Sequence, residues 1–165
     1  MKKLIIPFLL SSLLLVIGAN NASAQIQLKE ITISSSEPTK ATVSQKVSES
    51  FASLFKGAEA PKWFVADRDY VVDFILNNQV NKAEFTKNGR LVYHMAFGTE
   101  KQMPTDIRTI VKSKYFDFAI NSTVKITYEE KSAWIVNIED AENILVVRVV
   151  DGVMDVVEKL AKASV

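Results

Sequence analysis

Apolar and polar residues change their spacing several times along this chain, and each change predicts an element. From Thr42 the apolar positions Val43, Val47, Phe51, Leu54 and Phe55 recur at helical intervals and share one face. Thr42 is placed to cap that helix, with Gln45 three residues on; Gly57 is placed to end it, and Pro61 prevents any continuation. Beyond Pro61 the period shortens to two. "KWFVA" (62–66), "YVVDFIL" (70–76), "VNKAEFT" (80–86) and "RLVYHMAF" (90–97) read as strands. The gaps "DRD", "NNQ" and "KNG" are short and polar, which suits hairpins between antiparallel neighbours.

The helical period then returns. Met103, Ile107, Ile110, Val111 and Tyr115 line one face, Pro104 suits a first helical turn, and Asp106 places a carboxylate near the positive end of the helix. Strand patterns follow at "TVKITYE" (123–129), "AWIVNIE" (133–139), "NILVVRVV" (143–150) and "VMDVV" (153–157), and the tail 158–165 reads as a half-turn of helix or a frayed end. Helix plus four strands thus occurs twice. Val43, Val47, Phe51 and Phe55 map onto Met103, Ile107, Val111 and Tyr115 at a constant offset of 60, whereas Gly89 and Gly152 lie 63 apart. The expected fold is therefore α+β. It consists of two tandem helix-plus-four-stranded antiparallel meander repeats, 42–99 and 100–157, with a helix packed on the apolar face of each.

Register follows from which turn separates apolar from polar best. A two-residue Asn88-Gly89 turn would set Glu84 opposite Tyr93 and put charges among Leu91, Tyr93 and Met95. A three-residue loop, Lys87-Asn88-Gly89 with Gly89 left-handed, sets Phe85 opposite Leu91, Ala83 opposite Tyr93 and Asn81 opposite Met95, and is the expected form. In the second hairpin a two-residue Asp151-Gly152 turn pairs Val149 with Met154, Val147 with Val156 and Arg148 with Asp155. One face, with Tyr70, Val72, Phe74, Trp134, Val136 and Ile138, then needs a helix over it. The other mixes Val71, Asp73, Ile75, Glu84 and Asn137 with Lys82, Val92, His94, Ile135, Val146 and Arg148. Those last six are the candidate partner-contacting residues, because the aliphatics among them exceed what a merely wet sheet face requires.

The N-terminus adds an address. "MKK", the apolar stretch Leu4 to Ile17, and Ala22-Ser23-Ala24 match a secretory signal peptide cleaved after Ala24, so 1–24 is removed. Residues 25–41 read as an edge strand or a mobile lead-in. The remaining 141 residues carry 18 basic and 19 acidic side chains and no run long enough to span a bilayer. A charge of −1 gives no electrostatic case for nucleic acid. An exported chain without cysteine relies on its core rather than on disulfides.

Chemistry-bearing patterns are sparse. One histidine and no cysteine cannot supply a zinc site of the usual kind, and the scattered glycines form no phosphate loop. The acids of "DRD" (67–69), "EE" (129–130) and "EDAE" (139–142) fall in turns and face water in the plainer reading. No catalytic, cofactor-binding or metal-ligating residue is expected.

Phe55, Trp63, Asn88-Gly89, Pro104 and Tyr115 occur in an order and spacing that resembles the PepSY-like, beta-lactamase-inhibitor-protein-like exported proteins of the Bacteroidota. The resemblance covers roughly 42–157. It implies two tandem helix-plus-four-stranded units whose sheets join into one curved antiparallel sheet with the helices on one face, a periplasmic or surface location and no catalytic residues; it does not imply inhibition of a beta-lactamase. The expected function is a non-enzymatic, exported protein-binding module, inhibitor-like or accessory, that meets an envelope or extracellular protein through the uncovered sheet face. The alternatives are a carrier or envelope sensor of a small apolar ligand held between helices and sheet, and an enzyme with a carboxylate site.

Overall fold

The computed structural model describes residues 39–40 and 42–163. The expected signal peptide, its cleavage after Ala24 and all of the lead-in except Thr39–Lys40 lie outside the described residues. Strand pairing runs in chain order from β1 (Thr39–Lys40) through β2 (Glu59–Ala66), β3 (Asp69–Leu76), β4 (Gln79–Phe85), β5 (Leu91–Gly98), β6 (Ala119–Tyr128), β7 (Lys131–Glu139) and β8 (Asn143–Val150) to β9 (Val153–Ala161). Every neighbouring pair is antiparallel. Two ten-residue helices, α1 (Gln45–Leu54) and α2 (Thr105–Lys114), interrupt it.

The expected fold class needs correction. The two-repeat α+β description gives way to one dominated by strands, and no break in pairing sets 42–99 apart from 100–157: β5 and β6 pair from Tyr93↔Tyr128 to Gly98↔Thr123. The sheet is a single meander of eight full strands plus the two-residue β1, with two short helices laid on it. Helical periodicity repeated at a fixed offset revealed the helices, but which strands hydrogen-bond is a long-range property that such a repeat does not encode.

Each helix is short and amphipathic, so burial against the sheet rather than propensity stabilises it. Ser44, not Thr42, caps α1; its hydroxyl accepts from the Val47 N–H at 3.4 Å, while Gln45 donates along the helix to Glu49. Under α1, Val47, Phe51 and Phe55 meet Val72, Phe74, Ala83 and Phe85, with Trp63 and Leu91 at the margin. Ring centroids 4.7–6.3 Å apart in tilted and edge contacts make this an aromatic cluster. Beneath α2, Met103 and Val111 meet Val136, Ile138, Leu145, Val147 and Val149. Paired residues point to the same side, and Ala83 pairs with His94, His94 with Thr127, and Thr127 with Ser132. Ser132 alternates in phase with Trp134 and Val136, so both helices lie on one side of the sheet.

Two further differences concern strand ends. The tail does not fray or coil after residue 157: β9 continues to Ala161, with Val157 as the extra residue between Val156 and Glu158. Lys162 then ties the strand back, its N–H donating to the Glu142 carbonyl at 2.7 Å and its ammonium 3.1 Å from Glu139. The charges in "EKLAK" had hidden a strand because β9 is an edge, where both Glu158 and Lys159 are exposed. β6 begins at Ala119, four residues before the expected start.

Candidate binding face

The helix-free face is assembled by the alternate residues of every strand. One row across it runs Asp73–Lys82–Met95–Ile126–Ala133–Val150, and the next runs Phe97–Val124–Ile135–Arg148–Asp155. Met95, Val124, Ile126 and Ile135 therefore form an apolar middle, each half-buried by its neighbours. Val146 extends it through its pairing with Asn137.

Charged pairs flank this middle on both sides. Lys82 lies 3.5 Å from Asp73, both about two-fifths exposed. On the far side Arg148 grips Asp155 with two hydrogen bonds, Nε at 3.1 Å and Nη2 at 2.8 Å. Such exposed pairs add little to stability; their value lies in fixing where charge sits on the face. Between them, Tyr93 is only 9% exposed and donates its hydroxyl to Glu84 across the strand pair. Burial and the nearby Asp69 push the Glu84 carboxyl above its usual range, against the pull of the Tyr93 hydrogen bond. Burial and Glu84 push the Tyr93 hydroxyl up to about 12.

Of the six residues singled out from sequence, Lys82, Ile135, Val146 and Arg148 lie on this face. His94 does not. The three-residue loop forms as expected, with Gly89 at φ 80°, Thr86 N–H bonded to Arg90 O and Phe85 opposite Leu91. A β-bulge follows at once. Val92 takes no partner, Tyr93 faces Glu84, His94 faces Ala83 and Met95 faces Lys82. That one extra residue exchanges the faces of everything after it: Tyr93 and Met95 leave the helix side, and His94 enters it.

Under α1 the His94 ring sits 4.8 Å from Phe55 and 6.2 Å from Phe74, and its Nε2 lies 2.9 Å from Asn81 Oδ1. Asn81, 2% exposed, also donates to the Gln79 carbonyl at 2.8 Å and toward that of Leu76 at 3.4 Å. An amide oxygen can only accept, so Nε2 carries the proton. Burial, and then the Lys125 charge, hold His94 below the usual imidazole range. It is a packed core group.

The bulge left a signal that pairing arithmetic could have used. Only a bulged register satisfies Phe85 against Leu91 and also gives the Tyr93 hydroxyl a carboxylate opposite. The turn acids serve local structure: Asp140 Oδ1 accepts from the N–H groups of Glu142 and Asn143, and Glu139 pairs with Lys162. Those bonds hold both carboxyls below their usual range. Among the described residues, no three His, Cys, Asp or Glu side chains gather as metal ligands, and no helix is long and apolar enough to cross a membrane.

No family model matches the chain, and no curated protein matches it. Solved structures do. A BLIP-like protein of Bacteroides fragilis NCTC 9343 superimposes with a TM-score of 0.59 at 18% identity, over 73% of this chain and 87% of its own. A DUF2874 family protein of Bacteroides uniformis ATCC 8492 gives 0.58 at 14% identity, over 73% and 90%. A protein of Bacteroides eggerthii DSM 20697, described as a candidate periplasmic protein, gives 0.57 at 13% identity, again over 73% and 90%. At such identities the likeness establishes a fold shared with these Bacteroides proteins.

Proposed function

We propose that the chain is a non-enzymatic protein-binding module, inhibitor-like or accessory, that engages an envelope or extracellular protein through the helix-free face. The observation that carries this reading is the apolar middle of Met95, Val124, Ile126, Ile135 and Val146, bounded by the Lys82–Asp73 and Arg148–Asp155 pairs. An apolar centre with a charged rim is how protein interfaces are built. The BLIP-like and candidate periplasmic neighbours support the same reading, and the proposal includes export by a signal peptide ending at Ala24 and a PepSY-like affiliation. His94 has no part in the contact, and Val92 contributes only through the bulge that aims Tyr93. The apolar-carrier reading lacks a comparable observation, since five aromatic rings fill the space between α1 and the sheet.

The test is capture of envelope proteins by immobilised residues 25–165, compared with the variants Ile135→Asp and Val146→Asp. Both should keep the β-sheet circular dichroism and lose the partner. Folded variants that retain every captured protein would refute the reading.

A further inference from the structure

The two edges of the sheet are treated differently. On the β2 edge, Ala60 has φ 50°, the pairing of β2 slips between Glu59 and Lys62, Pro61 removes an N–H, and β1 covers Phe64 and Val65. Proline, irregularity and cover are the devices that stop an edge from recruiting another strand. The opposite edge, β9, has no proline, and on the side away from β8 no described strand pairs with it along nine residues. Val153, Val156, Val157 and Leu160 on it are 69%, 42%, 56% and 51% exposed. The strand is also held in place at its end, by the Lys162 bonds to Glu142, Asp140 and Glu139.

We infer that β9 is a docking edge for an extended cationic and apolar segment of another protein, which would add to the sheet as a tenth strand. Main-chain hydrogen bonds supply affinity in this mode, and alternate side chains supply selectivity. The register to β8 puts Val153, Asp155, Glu158 and Leu160 on the helix-free side. Their order is apolar, acidic, acidic, apolar. A regular strand laid antiparallel skips the bulged Val157, so its alternate residues opposite these four are apolar, basic, basic and apolar. Asp155 already holds Arg148, which makes Glu158 the main determinant of charge preference. A second copy of β9 fits poorly. The two-fold register that pairs the whole of Val153 to Leu160 with itself sets Asp155 against Glu158 twice, and like charges directly opposite are unfavourable.

The probe is a fluorescein-labelled heptapeptide with valine and leucine at its ends, lysine third and fifth, and threonine between. Saturable binding to the 25–165 chain is expected to be about fivefold or more tighter than for the same peptide with glutamate replacing lysine. Methylating alternate backbone nitrogens should abolish it. Glu158→Lys should invert the charge preference. Ile135→Asp should leave peptide binding unchanged, which separates this edge from the face proposed above. No saturable binding, equal affinity for both peptides, or a preference that survives Glu158→Lys would overturn the inference. So would a sedimenting dimer that Val157→Asp dissolves, because the edge would then belong to a second copy.

Discussion

The two helix-covered regions of the sheet solve the same packing problem with different residues. Under α1 the contacts are among Phe51, Phe55, Trp63, Phe74 and Phe85, and a hydrogen-bonded Asn81–His94 pair is admitted among them. Under α2 they are among Val111, Val136, Ile138, Leu145, Val147 and Val149, and the buried polar group there is Thr123. Rings explain the difference. An imidazole can lie against Phe55 and Phe74 as another ring, and Asn81 satisfies its nitrogen, whereas the buried layer under α2 is built of Met103 and branched aliphatic side chains, with Tyr115, Phe118 and Trp134 only at its margin. The aromatic region therefore depends on a polar network that the aliphatic one does without.

Truncation should show this most strongly. Phe51→Ala is expected to cost about 3–5 kcal/mol and Ile138→Ala about 2–5, read from urea unfolding. A loss for Ile138→Ala well above that of Phe51→Ala would contradict the ranking. Asn81→Ala should come next at about 1–3 kcal/mol, because it strips partners from His94 and from the Gln79 carbonyl together. Among the described residues, no amide–imidazole pair of this kind lies under α2.

The two hairpin glycines sharpen the same contrast. Gly89 and Gly152 both have φ near 80°, so alanine at either is strained by about 1–2 kcal/mol. A Cβ at Gly89 would also meet Ser50 Oγ at 2.6 Å and the Lys46 carbonyl at 3.1 Å on α1, whereas one at Gly152 meets nothing within 4 Å. Thermal melts should rank Gly89→Ala below Gly152→Ala.

Mild acid, before the carboxylates protonate, should act on the aromatic region through His94. His94 is held neutral in the folded state, so below its ordinary value of 6.5 the unfolded chain takes up the proton first. Its contribution is complete above about pH 6.5. It is lost progressively as pH falls toward the lower folded value, then levels off. His94→Phe should remove that part of the pH dependence of the urea midpoint. The smallest effect belongs to the exposed rim: Arg148→Met should change stability by less than about 1 kcal/mol.

Much of this architecture was legible in the sequence, and the failures have local causes. Period-two runs marked the eight long strands, and the Asp151-Gly152 turn forms with the expected pairs, from Val150↔Val153 to Val147↔Val156. Apolar spacing found both helices. The face of His94 was not legible because a single unpaired residue, Val92, inverts every later side chain of β5, and bulges leave no compositional mark. The dominance of strand over helix was less legible, because two helices of ten residues each lie on a sheet that runs unbroken from β5 to β6 past the α2 connection. On the candidate face, Lys82, Ile135, Val146 and Arg148 were placed by alternation alone. Tyr93 and Met95 were assigned to the wrong side by the missed bulge.

Hydroxyl-radical footprinting of the 25–165 chain, alone and with its captured envelope partner, tests the central claim most directly. Oxidation of Met95 and Ile135 should fall on binding, while Leu54 and Phe116, exposed on the helix side of the chain's connections, stay unchanged. Protection confined to the helices and their flanking loops, with Met95 still oxidised at the free rate, would contradict it.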